Sequence, residues 1–190
     1  MAILYGVKKV VITELDPTTE KPKAESPKVA TITTADNCEC EAVLAEGGEE
    51  VLRTDDRILA IVDIDELPYG YNVKLKDNTM SASAISMVTG MSESTATDTT
   101  VSDEKKLALA MMADGNDAQS LFKLEIYIAN YKGSSIVNYA KITFNKCKGK
   151  PLNLTVGKEF FAPELEIKAR EATKANLPIM EIDFVQGLPS

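Results

Sequence analysis

Leu121-Phe122-Lys123-Leu124-Glu125-Ile126-Tyr127-Ile128-Ala129-Asn130 is followed, after Gly133-Ser134-Ser135, by Val137-Asn138-Tyr139-Ala140-Lys141-Ile142-Thr143-Phe144-Asn145-Lys146-Cys147. Phe122, Leu124, Ile126 and Ile128 recur at every second position. In the later run Val137, Tyr139 and Lys141 alternate against Ala140, Ile142 and Phe144. A period of two belongs to an extended strand with one face in a core. Glycine and serine between two such runs mark a turn. The pair therefore predicts an antiparallel hairpin and sets the fold class: mainly β, a sandwich or barrel-like core with one short α-helix.

Working outward, the same period recurs. Tyr5 to Leu15 reads as a first strand, rich in β-branched Val7, Val10, Val11 and Ile12. Lys28 to Val43 reads as a second. In it Cys38, Cys40 and Ala42 alternate with Glu39 and Glu41, the pattern of a half-buried strand. Arg57 to Leu67 is a third, with Ile58, Ala60, Val62 and Ile64 on one face. Pro68-Tyr69-Gly70 predicts a turn into Tyr71, Val73 and Leu75. Leu152, Leu154 and Val156 form a short run, and Ile179 to Val185 a last strand. Residues 160–172 fit two readings. Leu165, Ile167 and Ala169 alternate with charged residues, as in a strand. Pro163 as a first helical residue, with Glu164–Lys168 and Glu166–Arg170 pairs four apart, fits a helix. The strand is preferred because another alternating run follows the turn Lys174-Ala175-Asn176-Leu177-Pro178.

The helix is expected over Met80 to Met91, where Met80, Ala84, Met87, Val88 and Met91 keep helical spacing. Asn78, Thr79 or Ser81 would cap its start, and Gly90 lies near its end. Three segments are too polar for a core. Asp16 to Pro27 holds three prolines and five charges in twelve residues, an extended arm. Residues 45–56 and 92–104 are expected as flexible loops, and Asp114-Gly115-Asn116-Asp117 as a turn. The whole chain, 1–190, reads as a single domain.

The absence of histidine among 190 residues removes Ser-His-Asp, Cys-His and His-metal chemistry together. Glu164, Glu166 and Glu171 resemble an acid–base set, but Lys168 and Arg170 beside them point to surface ion pairs. Asp63-Ile64-Asp65-Glu66 reads as a solvent face rather than a cation site. Cys38, Cys40 and Cys147 supply three thiols with no fourth soft ligand; the odd number and the absence of a secretion signal predict free, packed thiols. No phosphate-cradling glycine motif occurs. No catalytic residue, metal or cofactor is expected, and the chain is not expected to be an enzyme. A net charge of −8 opposes a groove that grips nucleic acid. No apolar run is long enough to cross a bilayer, so no membrane anchor is expected.

Lys141–Cys147, Leu152–Leu154, Lys158–Glu171 and the terminal strand Ile179–Phe184 together resemble the end of siphophage major tail proteins. The order of the whole chain is similar too: a first strand, a proline-rich arm, strands, one mid-chain helix, more strands. The resemblance implies a structural protein of the virion, assembled in the bacterial cytoplasm. Its copies would form hexameric rings that stack into a tail tube through which DNA is ejected. It further implies tape-measure and tail-terminator proteins as partners. Under that reading the segments 16–27 and 45–56 become inter-subunit contacts, with Asp16, Pro17, Pro22, Pro27, Gly47, Gly48, Glu50, Arg53 and Asp55 as candidate residues. Glu39, Glu41, Asp63 and Asp65 become candidates for an acidic lumen past which DNA slides. The alternatives are the inner tube of a contractile injection particle and a monomeric β-rich binding module.

Overall fold

A computed structural model describes residues 3–45, 47–54, 57–79, 81–95, 105–108, 120–152 and 162–189. In chain order the elements are β1 (Ile3–Glu14), β2 (Val29–Ile32), β3 (Ala35–Ala45), β4 (Gly48–Thr54), β5 (Arg57–Ile64), β6 (Leu67–Asp77), α1 (Ala82–Thr89), β7 (Ser92–Thr95), β8 (Lys105–Ala108), β9 (Phe122–Lys132), β10 (Ser135–Gly149), β11 (Glu164–Arg170) and β12 (Met180–Val185). The protein is mainly β, with one short helix among the described residues.

The alternating pair forms as expected: β9 and β10 make an antiparallel hairpin that sets Leu124 opposite Phe144 and Ile126 opposite Ile142. This hairpin is the middle of the main sheet, whose strands run β2-β1-β9-β10-β11-β6-β3. β10 is long enough to carry two neighbours along one side. Its C-terminal part, Lys146–Gly149, pairs with β11, and its earlier part, Tyr139–Phe144, pairs with β12. Cα atoms of β3 come within 8 Å of β1, so the sheet curls round until its two ends approach.

The inner face of this curl carries Val10, Ile12, Ile32, Val73, Leu75, Phe122, Leu124, Ile126, Phe144, Leu165 and Ile167, all buried in one cluster. Helix α1 closes one end of it with Ala84, Ile85, Met87 and Val88. The helix starts where Ser81 Oγ accepts from the Ala84 amide. It stops at Gly90, whose left-handed φ of 75° costs a residue without a Cβ little. Close approach of helix to sheet depends on Gly149: a Cβ there would lie 1.9 Å from the Val88 carbonyl oxygen.

Several expectations need correction. The strand read over 28–43 is two strands on opposite flanks of the sheet. The chain breaks at Thr33-Thr34, where buried Asp77 accepts from Thr34 Oγ1 at 2.6 Å and the Asn78 amide donates to the Thr34 carbonyl. Pro68-Tyr69-Gly70 is not a turn but part of β6, and β5 runs on into β6 through Asp65-Glu66 without a reversal, because the β4–β5 pairing continues the β3–β6 pairing. Pro68 is tolerated because the pairing with β11 has ended, at Ala169 opposite Tyr71, and β3 shifts register between Val43 and Leu44. β3 is less buried than its alternation suggests, since Cys40 and Ala42 are exposed.

The expected loop 45–56 contains β4, which pairs with β5. The loop 92–104 begins with β7, which pairs with β8; its remainder lies outside the described residues. So do the Asp114–Asp117 turn and most of the Leu152–Val156 run. Residues 164–170 form a strand, and Leu165, Ile167 and Ala169 all point into the core. The turn at 174–178 follows β11 as expected, but it leads β12 back to β10, not to β11.

Candidate functional site

Among the described residues no group of three or more Cys, Asp or Glu side chains converges on a metal-sized point. Glu164 and Glu166 stand on the outer face of β11, opposite Lys76 and Lys74. Glu166 is ion-paired with Lys150, and that hydrogen bond holds its carboxyl below the ordinary glutamate value. A cleft of about 650 Å³ opens beside α1, lined by Glu14, Lys28, Ser83, Ser86, Met91 and Glu93. Its polar groups are partly engaged with the protein itself: Glu14 with Lys23 at 2.6 Å, and Ser86 Oγ with the Met91 carbonyl at 2.6 Å.

The segment Asp16–Pro27 is not a free arm. Asp16 Oδ1 accepts from the Thr18 amide at 2.6 Å, and these backbone bonds lower its pKa. Pro22 bridges back to Leu15. The Pro17 carbonyl oxygen accepts from Lys174 Nζ at 2.8 Å. Glu20, only 5% exposed, is the main anchor. Lys146 Nζ and the Lys174 amide each donate to its carboxylate at 2.9 Å. Burial alone would push this carboxyl up, but the Lys146 and Lys174 hydrogen bonds and charges outweigh it, so the pKa is lowered. Sequence reading treated Glu20 as one charge in a polar loop. Its partners lie far along the chain and left no local signal.

Of the other candidates, Gly47 precedes β4, and Gly48, Glu50 and Arg53 fall on β4; Asp55 lies outside the described residues. Glu39 and Glu41 are exposed on the outer face of β3. Lys74 stands opposite Glu39, so this face mixes both signs rather than forming an acidic wall. Asp63 is on β5, and Asp65 lies in the two-residue link between β5 and β6.

A feature that the sequence reading missed lies at the end of the sheet away from α1. Register fixes which side chains share a face there. Leu4, Asn130 and Asn138 form one inner row; Val7, Ile128, Ala140 and Phe184 form the next; Ile126, Ile142 and Ile182 the third. These rows continue the core face, yet Phe184 is 61% and Ile182 56% exposed. The opposite face is also apolar: Ile3, Tyr131 and Ile136 are in register, and Tyr5 is 71% exposed. Asn130 donates to Asn138 at 2.8 Å, while its own buried Oδ1 has no partner among the described residues.

The edges are open as well as the faces. Among the described residues, β12 has β10 as its sole ladder partner. β2 covers only Val10–Thr13 of β1, which leaves Ile3–Lys9 without a partner on that side among the described residues. An unpaired strand edge offers a row of N–H and C=O groups to another chain. Exposed apolar residues clustered on both faces mark an interaction surface rather than scattered surface hydrophobics. The sequence signal was present in Met180-Glu181-Ile182-Asp183-Phe184, but alternation tells which face is apolar, not what covers it. Neither a scan against protein-family models nor a search of curated proteins finds a match to this chain.

Proposed function

We propose that this chain is a structural subunit that assembles with copies of itself into the tail tube of a long-tailed bacteriophage. The supporting observation is the open end of the main sheet. Two strands, β12 and β1, carry edges there that are unpaired among the described residues, with Leu4, Tyr5, Ile136, Ile182 and Phe184 exposed around them. The two edges differ, so a contact between one edge and the other on the next copy is heterologous. Repeated with the right rotation, such a contact closes into a ring and removes the edges. Stacked rings make a conduit, and the chain's net charge of −8 disfavours sticking to a passing phosphate backbone. Hexameric rings and contacts with tape-measure and tail-terminator proteins belong to this reading through the family resemblance. Asp16–Pro27 is bonded into its own subunit in the lone chain, which weakens the case for it as a free linking arm.

Negative-stain electron microscopy of the purified chain over a range of concentrations tests the proposal. Rings or hollow filaments are the expected result. A 20.6 kDa monomer at every concentration contradicts it and favours a binding module.

A further inference from the structure

Cys38 and Cys40 sit two apart on β3, opposite Leu75 and Val73 of β6. The pleat therefore puts both side chains on one face, and their sulfurs are 4.0 Å apart. Cys38 is half-buried against the core, while Cys40 is exposed. The reading of all three cysteines as packing groups thus holds for Cys147, which is buried, but not for Cys40. The other edge of β3 has no ladder partner among the described residues, and the exposed Cys40 makes the pair reachable from solvent.

We propose that Cys38 and Cys40 form a two-thiolate site for a soft monovalent cation of the copper(I) class. With metal–sulfur bonds of about 2.3 Å, sulfurs 4.0 Å apart subtend about 120° at a shared ion. That angle suits a three-coordinate soft ion whose third position is filled by a small thiol. Thiolate ligands select copper(I) over harder ions, and zinc, which takes four ligands, finds only two here. A direct disulfide is the poorer use of the pair. Residues two apart on an extended strand have Cα atoms roughly 6.6 Å apart, at the upper limit of about 6.8 Å for a bridge.

Binding displaces one proton from each thiol: two S–H bonds break, two metal–sulfur bonds form, and no electron is transferred. Because both thiols must lose a proton to bind the ion, affinity rises with pH. The inference is independent of the tail-tube reading.

Silver(I), an air-stable ion of the same class, is the probe. Fully reduced protein is titrated against a competing small thiol and read by native mass spectrometry, with circular dichroism on each variant. The expected result is one tightly held ion per chain. Cys38→Ser or Cys40→Ser then each lowers affinity about 100-fold, the loss expected when a chelate becomes a single ligand. Cys147→Ser leaves it unchanged. Cys40→Ser is an exposed change that leaves the fold intact, so its result alone is decisive. Wild-type affinity in the Cys40→Ser protein, or no ion retained by the wild type, overturns the proposal.

Discussion

The two halves of β10 (Ser135–Gly149) share one alternating pattern and end in opposite circumstances. The C-terminal half is enclosed: β9 and β11 or β12 flank it, Phe144 and Cys147 are fully buried, and Gly149 lies against α1. Even its polar residue Lys146 is used, as the partner of buried Glu20. The N-terminal half has the same hairpin partner but no roof among the described residues. Ile136 and Val137 stay exposed, and Phe184 on the neighbouring strand points from the core face into solvent. One strand thus runs from a completed core into an uncompleted one. The difference lies in what covers the sheet, not in how the strand is made, and it locates the surface proposed for self-association.

The comparison is sharpened most by its two phenylalanines, which lie on the same face. Phe144→Ala removes a ring with no exposure and is expected to cost about 3–5 kcal/mol, read by denaturant unfolding. Gly149→Ala pushes a methyl group into the Val88 carbonyl. Its expected cost is about 1–3 kcal/mol, with loss of packing at α1 visible in amide exchange.

Glu20→Gln keeps the shape of the anchor but removes its charge. A loss of about 1.5 kcal/mol, the lower end for a charged hydrogen bond, is expected because Lys146 retains some exposure. The pH dependence follows from the lowered pKa of Glu20. As pH falls, the unfolded chain takes up this proton before the folded one does. The stabilisation is complete above the ordinary value of 4.5 and is lost as pH drops through the folded value. Melting curves of wild type and Glu20→Gln should therefore converge in acid; a constant gap down to low pH would break the assignment. The smallest effect on stability is expected at the open end: Phe184→Ser or Ile182→Ser changes the lone chain by about 0.5 kcal/mol or less.

Much of the enclosed half was legible from short-range pattern. The hairpin needed only the alternation of Phe122–Ile128 and Val137–Phe144, and α1 needed its spacing together with Ser81 and Gly90. What failed to show depended on distant residues. The break after Ile32 is set by Asp77, 43 positions beyond Thr34. The docking of residues 16–27 is set by Lys146 and Lys174, 126 and 154 positions beyond Glu20. The strand through Pro68 is permitted by where the pairing with β11 stops. The open end was illegible for a different reason. Its residues have the pattern of core, and pattern cannot report that none of the described residues covers them.

The central claim is that this open end joins copies of the chain. Sedimentation velocity of the wild type beside Phe184→Asp tests it most directly, since a charge on an exposed side chain leaves the lone fold intact while opposing burial at a contact. The account predicts large, concentration-dependent species for the wild type, and a monomer with an unchanged melting temperature for the variant. Equal association of both proteins would contradict it.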